Sequence, residues 1–353
     1  MSKEGVTPGR EIAGAADAAG TIEYAECMQL PSLALVEEAQ AVVYRYMPPT
    51  PQYSWPLINE RLSDGIGGRV EAWIKHENHT PVGAFKLRGA LVYTDWLRRA
   101  QPELKGVVAA TRGNHGQGVA MAARLMELKA VIVVPRGNSK EKNRAMVAQG
   151  AELVEQGCDF QESLEFAHSR AGERGYVLLD SFHPRLVMGT ATYAMEFFRG
   201  APPLDRVYVP IGLGSSISGI AAVRNLLGLK TEIVGVVAAD SPSYLASFEQ
   251  KQIVEAPSNT LIADGLACRT PRAEAMEILW KNVARIVAVS EAEISAAMRA
   301  YYQDTHNLAE GAGAAGLAGA LKERADLAGK RVGLVLTGGN VDREVFAGVL
   351  AGA

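Results

Sequence analysis

The sequence has few of the residues that build disulfide frameworks or metal sites. It contains 3 cysteines in 353 residues, and Cys27, Cys158 and Cys268 are widely separated. No pair of them, alone or with a histidine, has the spacing of a metal site. We therefore expect a protein with reduced thiols, without a disulfide and without a bound metal ion.

The sequence also lacks a strong charge and a long apolar run. Its net charge is −3, which gives no electrostatic attraction for nucleic acid or for an anionic membrane. No apolar stretch approaches the roughly 18 residues of a membrane span. The N-terminus lacks the basic-then-apolar order of a signal peptide. These absences predict a cytoplasmic protein that binds neither nucleic acid nor membrane.

What the sequence does contain is a regular alternation of predicted strands and helices from Gly89 onward. This alternation is typical of an α/β fold with parallel sheets covered by helices on both faces. We expect residues 238–270 to be irregular and the strand 331–336 to be the last clear strand. The predicted division has three parts: a flexible N-terminal arm at 1–30, a large domain at 31–105 plus 186–353, and a small domain at 106–185.

Lys86 stands in an unusual position for a lysine. It follows the turn-forming run Pro81–Phe85 and precedes a predicted helix. An amine between an apolar ring and a helix can lose its hydration, so that its pKa falls and it becomes a nucleophile for an aldehyde. A lysine that only solubilises the start of a helix remains the alternative.

A second candidate site is the loop between the strand ending at Val209 and the helix beginning near Ser216. Small residues there leave backbone N–H groups open at a helix N-terminus, which favours binding of a phosphate. The glycine spacing is not that of a Rossmann fingerprint, and no Walker lysine follows. A tight turn that merely needs glycine is the alternative. The residues concerned are Gly212, Leu213, Gly214, Ser215 and Ser216.

Two further loops follow predicted strands, where parallel sheets bind their ligands. In the first, Thr111, the Gly113 N–H and the Asn114 side chain can converge on a carboxylate, although Asn114 is also a good helix cap. In the second, Thr337 precedes two glycines and an asparagine. A threonine hydroxyl can bond a neutral ring nitrogen, and the glycines let a flat ring approach the backbone. An ordinary glycine turn is the alternative.

Together these stretches resemble the serine/threonine dehydratase branch of the fold-type-II pyridoxal-phosphate enzymes. The similarity extends from about Leu33 to Val349, nearly the whole chain. Residues 81–90 resemble the cofactor-lysine motif of the family, and residues 113–117 resemble its loop for the substrate carboxylate. Residues 212–215 stand at its phosphate loop, and residues 337–340 at its ring-nitrogen position.

The resemblance implies pyridoxal 5′-phosphate as cofactor, bound covalently through Lys86, which would also move the Cα proton. It implies Phe85 beside the ring, Asn114 at the ring hydroxyl and Thr337 at the ring nitrogen. The implied activity is removal of water from a β-hydroxy amino acid (threonine, serine or a bulkier one such as phenylserine) to give a 2-oxo acid and ammonia. A homodimer is also implied, and the residues implied at the substrate are Thr111, Arg112, Gly113 and His115.

The departures from the family pattern leave alternatives open. Arg112 stands where racemases of this branch have a serine, and a guanidinium is not an acid at neutral pH. It could contact a larger or anionic substrate side chain, face solvent or pair with a carboxylate. Some members of the family carry a divalent-cation site that begins with a glutamate after a Val-Gly-Val strand. Here the strand at 233–238 has no acid, so we expect no requirement for magnesium or calcium. Asp264 is expected to be structural, and Glu310 either lines the ring edge or caps a helix.

Three classes of function remain possible at this point. The first is the β-elimination enzyme described above. The second is a β-replacement enzyme of the cysteine-synthase type, with which Asn114 followed by His115 disagrees, and racemisation is a variant reaction of the same fold. The third is a non-catalytic module that binds an amino acid or a phosphate.

Overall fold

A computed structural model of the chain describes residues 29–158 and 160–352. The predicted arm at 1–30 therefore lies almost entirely outside the described residues, as does Cys27. No helix in the described part of the chain is long and apolar enough to cross a membrane.

The larger of the two sheets has six strands in the order β1-β2-β10-β7-β8-β9. All neighbours in this sheet are parallel except β1, which pairs antiparallel with β2 at the edge. The strands are β1 Gln52–Ser54, β2 Glu71–His76, β7 Arg206–Pro210, β8 Glu232–Ala238, β9 Arg285–Val289 and β10 Arg331–Leu336.

The smaller sheet is entirely parallel and has four strands in the order β5-β4-β3-β6. The strands are β3 Gly106–Ala110, β4 Lys129–Val134, β5 Glu152–Glu155 and β6 Val177–Leu178. Its two inner strands are buried along most of their length, as expected for strands covered on both sides.

Thirteen helices are defined within the described residues, and they cover both faces of both sheets. They are α1 Leu33–Val43, α2 Pro56–Ser63, α3 Lys86–Ala100, α4 Asn114–Leu125, α5 Lys140–Ala148, α6 Phe160–Arg174, α7 Pro184–Gly200, α8 Ser215–Leu226, α9 Ser243–Gln250, α10 Ala273–Asn282, α11 Glu291–Thr305, α12 Gly311–Lys322 and α13 Arg343–Ala351.

The alternation of side chains along the strands explains how each sheet acquires two apolar cores. In β10, Val332, Leu334 and Leu336 pack in a core with α11 and α12, whereas Val335 packs on the opposite face with α7 and α8. The small sheet has α4 on one face and α6 on the other. The predicted fold class, parallel sheets with helices on both faces, is confirmed.

The two sheets fall on either side of the predicted domain boundaries, but one helix connects them. Helix α3, assigned by the predicted division to the large domain, packs in the same apolar core as α4, β3 and β4. The division at residue 105 stays a proposal, and α3 belongs by packing to the small sheet as much as to the large one.

Three elements within the predicted loops and ends were missed, and one helix begins earlier than predicted. Residues 238–270 contain α9, which starts directly after Pro242; a proline before a helix is compatible with it, so the proline was a misleading sign of irregular structure. The short β1 and the terminal α13 were also missed. Helix α3 begins at Lys86 itself, whereas the sequence pattern predicts a helix only over 91–99.

Glycines allow three of the helices around Lys86 to approach one another closely. A Cβ added at Gly189 of α7 would lie 2.5 Å from the Cα of Gly89 in α3 and would also overlap the carbonyl oxygen of Arg88. A Cβ at Gly118 of α4 would lie 3.2 Å from the carbonyl carbon of Lys86. Helices α4 and α7 therefore pack directly against the backbone of the first turn of α3.

Replacing Gly189 by alanine tests this close packing. We expect Gly189→Ala to lower the free energy of unfolding by about 1–2 kcal/mol, because overpacking costs about 1–3 kcal/mol and exceeds the gain of about 0.5–1 kcal/mol from placing alanine in a helix. Urea unfolding monitored by circular dichroism measures the change.

The matched control is Gly172→Ala in α6, where an added Cβ meets no atom within 4 Å. This variant should be as stable as the unmodified protein or more stable. Equal stability of the two variants would contradict the packing described here.

Candidate functional site

Lys86 is the first residue of α3, and its amine has no hydrogen-bond or ion-pair partner among the described residues. Its Nζ lies 5.1 Å from the centroid of the Phe85 ring. Burial lowers the pKa of Lys86 to about 8. The structure therefore holds a lysine that is easily deprotonated and not committed to a carboxylate.

The loop before Lys86 is joined by backbone hydrogen bonds to the loop that follows β10. The Phe85 N–H donates to the Thr337 carbonyl at 3.0 Å, and the Gly339 N–H donates to the Gly83 carbonyl at 2.9 Å. Thr337 is buried, and its hydroxyl has no hydrogen-bond partner within the described chain. Lys86 and Thr337 are thus brought to the same site.

Asn114 reaches this site from the loop between β3 and α4. Its amide nitrogen donates to Glu310 Oε1 at 2.5 Å, and its amide oxygen accepts from Asn340 Nδ2 at 2.8 Å. Gly113 is the N-cap residue, and Asn114 makes no capping bond. The capping alternative for Asn114 is therefore wrong, and its amide is oriented by two residues from the opposite side of the site.

Glu310 precedes α12 and makes no side-chain capping bond to that helix. Burial raises the pKa of Glu310 to about 7, against the opposing influence of the Lys142 ammonium. A Cβ at Gly338 would overlap Glu310 Oε1, so glycine is needed beside this carboxyl group. Glu310 lies at the edge of the site and does not serve as a side-chain cap.

Lys142 is a site residue that the sequence reasoning missed. It comes from α5, and its Nζ lies 2.5 Å from Asp264 Oδ2 and 3.8 Å from Glu310 Oε2. A Cβ at Gly113 would lie 2.6 Å from Lys142 Cδ, so the lysine stem passes directly under that loop. Because Lys142 and Asp264 are 122 residues apart, no local sequence pattern indicates this contact.

The glycine-rich loop after β7 is held by side chains from α7 and α9. Tyr244 donates its hydroxyl to the Leu213 carbonyl at 2.9 Å, and the Tyr193 hydroxyl lies 2.6 Å from Ser216 Oγ. The Tyr193 ring also packs edge-on against Phe85, with centroids 6.3 Å apart. This contact connects the loop at 212–216 with the residue before Lys86.

The backbone of that loop has the geometry of an anion site. Gly214 has φ +97 and ends the turn before α8. A Cβ there would lie 2.8 Å from Ala275 Cβ, so a side chain has no room. The first N–H groups of α8 have no acceptor of their own and point out of the helix N-terminus, where an anion is stabilised.

The remaining predicted substrate residues are arranged differently from the expectation. The Gly113 N–H donates to Thr111 Oγ1 at 3.0 Å, so these two groups already satisfy each other. His115 is buried, and burial lowers its pKa to about 3, with the Lys86 charge acting in the same direction. Arg112 is exposed and has no carboxylate partner in the described chain. Their contact with substrate stays a prediction.

A metal site has no support from side-chain clustering in the part of the chain that the structure describes. No group of three or more His, Cys, Asp or Glu residues there is arranged to hold a metal ion. The expectation that the protein needs no metal stays a prediction.

Comparison with known proteins places these features in context. The family described as pyridoxal-phosphate dependent enzyme matches residues 52–338. The chain is 35% identical over 283 residues to an L-threonine ammonia-lyase of Thermotoga maritima, covering 80% of this chain and 69% of that protein. It is 30% identical over 326 residues to an L-threo-3-hydroxyaspartate ammonia-lyase of Saccharomyces cerevisiae, covering 92% and 98%.

A solved structure of maize serine racemase superposes with a TM-score of 0.83 at 26% identity, covering 92% of this chain and 98% of that one. The similarity in fold therefore extends over nearly the whole described chain. It includes proteins whose names describe elimination and proteins whose names describe racemisation.

The unpaired amine of Lys86 should make the stability of the cofactor-free protein depend on pH. An unfolded lysine keeps its proton to about 10.5, whereas the folded pKa is about 8. Between these values the unfolded state binds more protons, so stability rises with pH. We expect Lys86→Met to stabilise the cofactor-free protein at pH 7 and to stabilise it less at pH 10.

Thermal unfolding of the cofactor-free protein at both pH values measures the effect. Lys140→Met, at an exposed position in the first turn of α5, is the control and should show a similar change at each pH. A stabilisation by Lys86→Met that is no larger at pH 7 than at pH 10 would disprove the assignment of a low pKa.

Proposed function

This chain belongs to the family of pyridoxal-phosphate dependent enzymes, and we propose that it is an ammonia-lyase acting on a β-hydroxy amino acid. The products are a 2-oxo acid and ammonia. The observation that carries the proposal is the amine of Lys86, which has a pKa of about 8 and no partner among the described residues. The names of the relatives favour threonine and 3-hydroxyaspartate as substrates, and serine or phenylserine are further candidates.

The residues of the site fit pyridoxal 5′-phosphate. The N–H groups of residues 212–216 and the Ser215 hydroxyl would hold the phosphate at the start of α8. The Thr337 hydroxyl, which has no hydrogen-bond partner in the described chain, would meet the ring nitrogen. Asn114 would meet the ring hydroxyl, and Phe85 would pack beside the ring. The small residues around these groups leave room for a flat ring against the backbone.

When bound, the cofactor withdraws electrons from the Cα of the substrate and so makes its proton acidic. Lys86 supplies the base. Near neutral pH a fraction of its amine is unprotonated, and no carboxylate competes for it, so Nζ could accept the Cα proton of the substrate. The β-hydroxyl would then leave as water with a proton returned by the Lys86 ammonium. Water from the solvent would hydrolyse the released enamine to the 2-oxo acid and ammonia.

The other side chains orient the reacting groups. Asn340 and Glu310 fix both ends of the Asn114 amide. His115, with a pKa of about 3, is neutral and does not act as an acid near pH 7. A hydroxyl at Thr337 would offer the ring nitrogen no proton donor of low pKa, which would limit delocalisation of charge into the ring and favour elimination over transamination.

The products formed from serine distinguish the proposed elimination from two other reactions. A β-replacement enzyme would form cysteine from serine and sulfide, whereas the proposed enzyme forms pyruvate. A racemase would produce the opposite enantiomer of serine without release of ammonia. Racemisation needs an acid on the second face of the substrate, and Arg112 cannot supply a proton at neutral pH.

The assembly and location of the protein are also part of the proposal. We infer a homodimer in the cytoplasm that acts on a free amino acid and requires no metal. Size-exclusion chromatography with light scattering measures the assembly, and a homogeneous monomer would contradict that part alone.

Replacing Lys86 tests the covalent attachment. We expect Lys86→Ala to abolish ammonia release, because both the covalent attachment and the base are lost. Borohydride reduction of the holoenzyme followed by peptide mapping should place a pyridoxyl group on Lys86 in the unmodified protein. Lys140→Ala should retain both the label and the activity. A label on any other lysine would overturn the assignment.

Ser215 and Ser216 separate two roles within the phosphate loop. We expect Ser215→Ala to weaken cofactor affinity by about 1 kcal/mol, the value of one hydrogen bond. Ser216→Ala should leave the affinity nearly unchanged and lower stability, because its hydroxyl is bonded to Tyr193. Equilibrium titration of the cofactor-free variants gives the affinities, and an unaltered affinity in Ser215→Ala would remove that hydroxyl from the phosphate site.

A further inference from the structure

A cavity of about 170 Å³ opens at the carboxyl edge of the small sheet. Arg112 lies two residues after β3, and Arg136 lies two residues after β4. These strands are parallel neighbours paired through Ala110 and Val133, so both arginines line the same cavity. Asp264, from the segment between β8 and α10, lines it as well.

The charge of this cavity is not balanced by the protein. Arg112 and Arg136 are exposed, and neither has a carboxylate partner within residues 29–158 and 160–352. Asp264 is the acidic residue of the lining, and its Oδ2 is held by Lys142 at 2.5 Å. Two guanidinium groups beside a neutralised carboxylate attract an anion, and each can bind a carboxylate through two parallel hydrogen bonds.

The cavity shares a wall with the reaction site. Lys142, which holds Asp264, also lies 3.8 Å from Glu310, and Glu310 accepts the hydrogen bond from Asn114. Arg112 is separated from Asn114 by a single glycine. A substrate bound with its amino group at Lys86 and its side chain extended past Asn114 would bring that side chain toward the arginines.

From this geometry, and resting on the proposed function, we propose that Arg112 and Arg136 form a subsite for an anionic group on the substrate side chain. The substrate class is a β-hydroxy amino acid with a second carboxylate, such as 3-hydroxyaspartate. The volume equals that of a few water molecules at about 30 Å³ each, which is enough for a carboxylate and its remaining hydration. The methyl group of threonine can form neither a hydrogen bond nor an ion pair with either guanidinium.

The test compares two substrates in variants of the complete holoenzyme. In Arg136→Ala and Arg112→Ala, the ratio of kcat/KM for L-threo-3-hydroxyaspartate to that for L-threonine should fall about 10-fold or more, as expected for loss of a charge-assisted hydrogen bond. Arg144→Ala, an exposed arginine of α5 outside the cavity, should leave the ratio unchanged. Equal losses on both substrates, or no loss on either, would overturn the subsite.

A binding measurement distinguishes failure of the subsite from failure of the proposed reaction. L-Aspartate has the second carboxylate but no β-hydroxyl, so it cannot lose water, and L-alanine lacks both groups. Calorimetric titration of the holoenzyme should show aspartate binding about 10-fold or more weaker in Arg136→Ala, with alanine binding unchanged.

Arginine-dependent binding of aspartate without ammonia release from any hydroxy amino acid would support the subsite and reject the proposed elimination. The opposite outcome is also informative. If the enzyme turns over threonine but aspartate does not bind, or binds equally well without either arginine, the subsite is rejected and the proposed elimination stands.

Discussion

The structure depends on one half-buried amine, that of Lys86, having no carboxylate partner, whereas other cations nearby are paired with carboxylates. Lys75 is fully buried, and its Nζ contacts Glu196 Oε2 at 2.5 Å and the Thr50 carbonyl at 2.6 Å. Arg88, two residues after Lys86, is bonded to Glu77 and Glu196. Two cations and two anions neutralise one another in this cluster. Lys86 is excluded from it, and without a counter-charge burial acts on the pKa of Lys86 unopposed. Burial lowers the pKa of Lys75 as well, but Glu77 and Glu196 oppose that effect, so the two lysines differ in their partners.

The position of Lys86 is fixed by backbone packing more than by its own side chain. Gly89 and Gly189 bring α3 against α7, and a Cβ at Gly219 would lie 2.5 Å from Thr190 Oγ1, so α7 lies equally close to α8. The lysine begins α3 and the glycine-rich loop begins α8, with α7 between them. Side chains at these crossings would separate the helices. The distance between the Lys86 amine and the loop at 212–216, which are proposed to bind two ends of the cofactor, would then change. Glycine inside a helix lowers stability relative to alanine, and here it allows the helices to pack closely.

Local patterns predicted much of this fold and could not predict its long-range contacts. Apolar strands such as β3 and β10 were recognisable because burial on both faces leaves continuous runs of valine, leucine and alanine. Helix α9 was missed because Pro242 is compatible both with irregular structure and with the residue before a helix. The motifs around Lys86 and Thr337 are contiguous, so they were readable. Lys142 belongs to an ordinary charged helix turn, and only the fold reveals that this turn lies against Asp264. Likewise, the Asn340 contact that orients Asn114 joins residues 226 apart in sequence.

The two sheets contribute different parts of the proposed chemistry, and this has a consequence for specificity. The loop at 212–216 follows β7 and Thr337 follows β10, both in the large sheet, so the groups proposed to hold the cofactor depend mainly on one core. Arg112 and Arg136 follow strands of the small sheet, whose loops are proposed to face the side chain of the substrate. A substitution in the small-sheet loops can therefore change which amino acid fits without moving Lys86 or the loop at 212–216. Asn114 and Lys142 are exceptions, because they bond across to Glu310 and Asp264 and tie the two sheets together at the site. A chain with this arrangement can keep one reaction centre while its substrate changes. Sequence differences between relatives with different substrates should therefore concentrate in the loops after β3 and β4.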